Sequence, residues 1–188
     1  MEIVRPHLPP RAPTARLGIL MTALIVLVAG YGASRTSEFQ WFLLRASLRS
    51  QFPQVQWITT RELANWLEDR HHVPPVLLDV RTVEEWNVSH LPGARRVDPG
   101  ASAEMGLPGA AKDVPVVTYC AVGYRSAEFT TRLRAAGFTH LQNLEGSIFR
   151  WANEHRPLVS DGAPASRVHP YSKSWDSSWL TTSGQGYN

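Results

Sequence analysis

Apolar residues in this chain fall into short blocks whose period switches between strand-like and helix-like, and turn residues punctuate the blocks. Thr59-Thr60-Arg61-Glu62 fits a capping box and opens a predicted helix with Leu63, Trp66 and Leu67 on one face. Pro74-Pro75 ends that region, and Val76 to Val80, apolar except for Asp79, reads as a short buried strand. Thr82-Val83-Glu84-Glu85 repeats the capping pattern on a shorter helix. Residues 98–113, with Pro99, Gly100, Pro108 and Gly109, read as a loop with at most one weak helix. A strand over Val114 to Tyr119 follows, then a helix over Ala127 to Ala136 closed by Gly137, a strand near His140 to Leu144 and a last helix over Ser147 to Glu154. Strands alternating with helices predict an α/β domain, a parallel sheet flanked by helices on both faces. About 100 residues, from 57 to 159, hold this pattern, enough for one core.

Outside the domain the pattern changes. Residues 1–16 form a basic arm with Arg5, Arg11 and Arg16, and residues 17–34 carry no charge and are rich in Leu, Ile and Val. As a helix those eighteen residues reach roughly 27 Å, the short end of a bilayer span, and predict a transmembrane anchor; a cleaved secretory signal ending near Val28-Ala29-Gly30 is the alternative. Residues 35–56 place Phe39, Trp41, Phe42, Leu43, Leu44 and Leu48 beside Arg45 and Arg49, an amphipathic segment suited to a membrane interface or to packing on the domain. The predicted location is therefore a single-pass membrane protein, with the arginines too evenly placed to give the side of the domain. Residues 160–188 form a Gly- and Ser-rich tail whose first half is expected to lie along the domain. The formal net charge of +3 divides unequally: residues 1–56 hold +4 and the remainder −1. The domain thus offers no basic face for nucleic acid.

The chemistry concentrates at the only cysteine. Val116 to Tyr119 delivers Cys120 to the carboxyl edge of the predicted sheet, where open α/β folds keep their ligands. Gly123 lets the loop Ala121, Val122, Gly123, Tyr124 turn its amides inward, Arg125 adds a positive charge, and Ser126 is placed as N-cap of the next helix. This is a setting for anion chemistry on sulfur, although a lone cysteine at a strand end also serves as a small buried hydrophobe. Phosphatases that form a cysteinyl phosphate hold Arg six positions after Cys; here it is five, a smaller loop that suits a sulfur atom. Asp79 and Arg81 end a strand on the same edge and are candidates for a pocket wall or for fixing the turn, with Arg81 paired to Glu84 or Glu85. His90 reads as a turn residue. His71-His72 lacks partners at ligand spacing, so no metal is expected.

Leu77-Leu78-Asp79-Val80-Arg81 through Glu85-Trp86, then Ser89-His90-Leu91-Pro92-Gly93-Ala94, together with Gly123-Tyr124-Arg125-Ser126 through Gly137-Phe138 and Leu144-Glu145-Gly146-Ser147 to Trp151, resemble the two signatures of the rhodanese-like sulfurtransferases. The resemblance covers about Trp57 to Val159. It implies that Cys120 carries sulfane sulfur as a persulfide, that residues 121–126 bind the substrate, that no cofactor is needed, and that the partners are a small sulfur donor and a thiol or cyanide acceptor. Three departures stand out: Ala121, Val122 and Tyr124 supply no cation inside the loop, Ser147 occupies a position where Gly is usual, and Ser89 stands where Gly commonly precedes the His. The first weakens anion affinity and favours a neutral or thiol-bound donor. With no second cysteine, the persulfide cannot be resolved within the chain. A non-catalytic docking or sensing module at the membrane is the alternative from another class.

Overall fold

A computed structural model describes residues 37–170. The expected basic arm, the apolar run 17–34 and residues 171–188 of the tail lie outside the described residues. No helix among the described residues is long and apolar enough to cross a membrane.

Helix α1 (Ser37–Gln51) leads to strand β1 (Gln56–Ile58) and helix α2 (Thr60–Glu68). Then come β2 (Val76–Asp79), α3 (Val83–Val88), β3 (Arg95–Arg96), the short α4 (Ala103–Gly106), β4 (Val116–Tyr119) and α5 (Tyr124–Ala135). The chain continues through β5 (Leu141–Leu144), α6 (Ser147–Asn153) and a hairpin of β6 (Leu158–Ser160) and β7 (Ala163–Ala165). Five strands form one parallel sheet in the order β1-β5-β4-β2-β3, with β4 in the middle.

Alternation along the strands sends residues to two cores, one on each face. Leu77, Val117 and Tyr119 join Trp41, Ile58, Leu63, Leu144, Ile148 and Phe149 on the face covered by α1, α2 and α6. Leu78, Val80 and Val116 join Val97, Phe129, Leu133 and Leu141 on the face covered by α4 and α5. The sheet is parallel and covered on both sides, as the sequence pattern predicts.

Both capping boxes form: Thr59 with Glu62 on α2, and Thr82 with Glu85 on α3. One helix start differs. α5 begins at Tyr124, with Gly123 as N-cap at φ +116°, and Ser126 is not the cap. A left-handed glycine turns the chain straight into the helix, so no side-chain cap is used and Ser126 lies inside the first turn, fully buried. Its Oγ has no hydrogen-bond partner among the described residues.

The amphipathic segment is divided between two surroundings. Trp41 and Leu48 are buried in the domain, whereas Phe39, Phe42 and Leu43 remain 37%, 56% and 50% exposed. Arg45 and Arg49 both reach Glu145, at 3.1 and 2.8 Å, and fix α1 on the corner between β5 and α6. Past residue 159 the hairpin continues the domain: His90 pairs through its backbone with Val159, Ser89 Oγ donates to the Arg167 carbonyl at 2.6 Å, and Val168 is buried.

Candidate active site

Cys120 directly follows β4 at the carboxyl edge of the central strand, and three contacts from the β5–α6 corner hold the backbone of Cys120 and Ala121. The Cys120 N–H donates to Ser147 Oγ at 3.2 Å, and the Cys120 and Ala121 carbonyls accept the N–H groups of Ile148 and Phe149 at 3.2 and 3.1 Å. Ser147 is left-handed at φ +50°, an uncommon conformation for a residue with a Cβ, and its hydroxyl also donates to the Leu144 carbonyl at 3.1 Å. The far end of the loop is held as well, since Asn143 Nδ2 donates to the Gly123 carbonyl at 2.8 Å. Asn143 belongs to a fully buried polar cluster with Thr118 and Thr130. The loop is therefore anchored at both ends before any substrate arrives.

Curled this way, the loop turns the Gly123 N–H onto Cys120 Sγ at 3.2 Å. That amide is aimed to stabilise negative charge on the sulfur or on an atom bonded to it. Cys120 is only 1% exposed and forms part of the floor of a cleft of about 310 Å³. Ala121, Val122, Tyr124 and Arg125 line one side, and Leu44, Ser47, Leu48 and Gln51 of α1 line the other. Phe52 braces Tyr124 edge-on, with ring centroids 5.4 Å apart.

Of the predicted binding residues, Ala121, Val122, Tyr124 and Arg125 thus reach the cleft, Gly123 caps α5 and addresses the sulfur, and Ser126 is buried without lining the cleft. Arg125 is not aimed at the sulfur as an unopposed charge. Its guanidinium forms a fork on Glu85, at 2.7 and 2.8 Å, and Glu85 is almost fully buried. Burial alone would raise the Glu85 pKa; the Arg125 fork, the Thr82 N–H and the nearby Arg81 outweigh it and hold the carboxyl below the usual range.

Asp79 and Arg81 do not line the cleft. Both are fully buried, and Arg81 binds Asp79 through Nε at 2.8 Å and Nη2 at 2.6 Å, with Nη2 also donating to the Ser89 carbonyl at 2.6 Å. Burial opposes the Arg81 charge, and the Asp79 carboxylate more than offsets it. Neither Glu84 nor Glu85 forms the expected ion pair with Arg81; the Asp79–Arg81 pair ties the end of β2 to Ser89, the C-cap of α3. Tyr119 lies beside it, its pKa raised well above the usual value by burial and by the Asp79 charge, and its hydroxyl accepts the Leu91 N–H at 3.1 Å. His90 stacks on Trp86 at 3.5 Å and, rather than occupying the expected turn, forms an isolated antiparallel bridge with Val159. His72 pairs with Asp69 at 2.6 Å, away from the cleft lining.

Three groups at the site escape the motif reading: Ser147, which orients the Cys120 backbone; Glu85, which holds Arg125; and the α1 wall. Ser147 carried a signal in the sequence, because a residue with a side chain stands there where glycine is usual. Glu85 carried one through its capping box, which places it at a defined helix position but does not reveal its partner across the sheet edge.

The parallel α/β sheet thus presents the cysteine just past its central strand, with the Gly123 amide directed at its sulfur. The chain belongs to the rhodanese-like domain family, whose model matches residues 59–154. It is 36% identical over 101 residues to “Probable adenylyltransferase/sulfurtransferase MoeZ” of Mycobacterium tuberculosis; the match covers 53% of this chain and 25% of that protein, so the chain spans about a quarter of that relative. It is 31% identical over 106 residues to a “Sulfurtransferase” of Allochromatium vinosum, covering 56% of this chain and 96% of that protein. The fold is shared with the crystal structure of a thiosulfate sulfurtransferase from Pseudomonas aeruginosa at TM-score 0.53 and 20% identity, over 69% of this chain and 24% of that one.

Proposed function

We propose that this chain is a rhodanese-type sulfurtransferase that carries sulfane sulfur on Cys120. The observation that supports it most directly is the Gly123 N–H directed at Cys120 Sγ, 3.2 Å away, within a cleft that has room for a donor. In the first half-reaction the Cys120 thiolate attacks the outer sulfur of a thiosulfate or persulfide donor. The Sγ–S bond forms, the S–S bond of the donor breaks, and sulfite or a thiolate leaves with the electron pair. In the second, a thiol or cyanide attacks the outer sulfur of the Cys120 persulfide, and the Cys120 thiolate leaves. The loop amide and the ends of the loop held by Ser147 and Asn143 keep the sulfur fixed through both steps.

Intact mass after donor exposure tests this: wild type gains one sulfur atom that cyanide removes, and Cys120→Ser gains none. A wild-type chain that never gains sulfur overturns the reading and favours a docking module, which the neutralisation of Arg125 by Glu85 also suits. Residues 17–34, we further propose, hold the chain at a membrane in a single pass, a reading supported by their uncharged apolar run and by the exposed Phe42 and Leu43 on the helix that follows. Fractionation with sequencing of the mature N-terminus tests it; a soluble chain beginning near Tyr31 identifies a cleaved signal instead.

A further inference from the structure

α1 brings Leu44, Ser47, Leu48 and Gln51 to the cleft at i, i+3, i+4 and i+7, one continuous face of the helix. This wall is fixed in place. Trp41 and Leu48 are 3% exposed, and the Arg45 and Arg49 side chains close on Glu145 at the same corner that supports the Cys120 loop. The polar members of the wall are turned to each other, with Gln51 Nε2 donating to Ser47 Oγ at 3.0 Å. Across the cleft stand Ala121, Val122 and Tyr124, and the one charged lining residue, Arg125, shares its charge with Glu85. An inorganic dianion entering here loses water against leucine, valine and alanine surface and meets no uncompensated cation. An apolar organic group gains from the same surface, and about 310 Å³ lies at the lower end of the range, roughly 300–1,000 Å³, for clefts that hold small organic ligands.

We infer that the Cys120 cleft selects a low-molecular-weight organic persulfide with an uncharged, apolar carrier group over thiosulfate, and that Leu44 and Gln51 of α1 determine this choice. The inference rests on the sulfurtransferase reading and adds the donor class and the residues that set it. The carrier group lies along Leu44, Leu48 and Val122 and presents its terminal sulfur to Cys120. The Cys120 thiolate attacks that sulfur in R–S–S–H; the Sγ–S bond forms, the S–S bond of the donor breaks, and R–S⁻ leaves with the electron pair and takes a proton from water. Cys120 ends as the persulfide and the donor is reduced to its thiol, so no further oxidant or reductant enters the step.

The test compares kcat/KM of the full chain for benzyl persulfide, glutathione persulfide and thiosulfate, in wild type, Leu44→Asp and Gln51→Arg. Wild type is expected to prefer benzyl persulfide to thiosulfate by roughly tenfold or more, the scale of apolar discrimination in a pocket. Leu44→Asp lowers the benzyl-to-thiosulfate ratio by reducing benzyl persulfide use, and Gln51→Arg lowers it by raising thiosulfate use roughly two- to fivefold. Gln51 is solvent-exposed, so its variant keeps the test valid if Leu44→Asp fails to fold. A wild type that uses thiosulfate as well as benzyl persulfide, or a ratio unmoved by Gln51→Arg, overturns this inference alone. No sulfur transfer from any of the three donors overturns the sulfurtransferase reading and the inference with it.

Discussion

Ser147 offers the sharpest perturbation of the Cys120 support, because two opposing effects act on one side chain. Its backbone is left-handed at φ +50°, which costs a residue with a Cβ roughly 1–2 kcal/mol. In return its hydroxyl accepts the buried Cys120 N–H at 3.2 Å, and leaving such a donor unpaired costs about 1–3 kcal/mol. Ser147→Ala keeps the strained backbone and loses the hydrogen bond, so its net loss is about 1–3 kcal/mol. Ser147→Gly loses the same hydrogen bond but removes the strain; greater freedom of the unfolded chain takes back roughly 0.5–1 kcal/mol of that relief. The glycine variant therefore falls between wild type and the alanine variant, about 0.5–1 kcal/mol above the latter. Urea unfolding at fixed pH measures the order, and sulfur loading by intact mass gives the functional readout: both variants load Cys120 more slowly, because both release its backbone. Alanine as stable as wild type, or glycine less stable than alanine, refutes the balance argued here.

The remaining predictions concern the two ion pairs and the loop glycine. Asp79→Asn leaves the fully buried Arg81 guanidinium without its counter-charge, with Nη1 already unpartnered, and is expected to cost about 3–5 kcal/mol in urea unfolding; a loss under about 1 kcal/mol refutes it. Glu85→Gln breaks the Arg125 fork, in which the two side chains are 3% and 19% exposed, and is expected to cost about 2 kcal/mol, between the surface and buried cases. Because the Glu85 pKa is lowered in the folded state, its contribution is fully present above the unfolded value of about 4.3 and is lost as pH falls through the lower folded value, so the gap between wild type and Glu85→Gln closes in acid; a gap that persists to about pH 2 refutes this. Gly123→Ala forces a Cβ into φ +116° and within 3.4 Å of both Leu48 Cδ1 and Trp57 Cζ3, so it is expected to destabilise the protein by about 1–2 kcal/mol and to slow sulfur loading; unchanged loading and stability refute the role given to this turn.

What could be read from the sequence depended on the range of the interactions involved. The two capping boxes join residues three apart, and both formed as the residue types demand. Buried runs such as Val76 to Asp79 and Val116 to Tyr119 were legible because three or four consecutive apolar or β-branched positions leave few alternatives. Strands β1, β3, β6 and β7 were not, because two or three residues such as Arg95-Arg96 become a strand only through the neighbour they pair with. Ser126 had the chemistry of an N-cap, but Gly123 began the helix three residues earlier by backbone conformation alone. At the site, Cys120 and its loop were local and visible. Ser147 and Glu85 reach the loop across 27 and 40 residues of sequence, and no local pattern encodes such partners.

The α1 wall extends this point from position to specificity. The family match begins at residue 59, and α1 ends at Gln51, so the helix that forms one side of the Cys120 cleft lies wholly outside the segment that defines the family. Cys120, Gly123 and Ser147 lie inside the matched segment, whereas the α1 residues that line the cleft lie before it. The Arg45 and Arg49 contacts join the two, since Glu145 sits two residues before the Ser147 that holds Cys120. A shift of α1 would thus reach the sulfur along a path of two ion pairs and one hydrogen bond, without any change in the loop sequence. Substrate choice in this chain is accordingly expected to follow substitutions in residues 44–51 more closely than identity to relatives across residues 59–154.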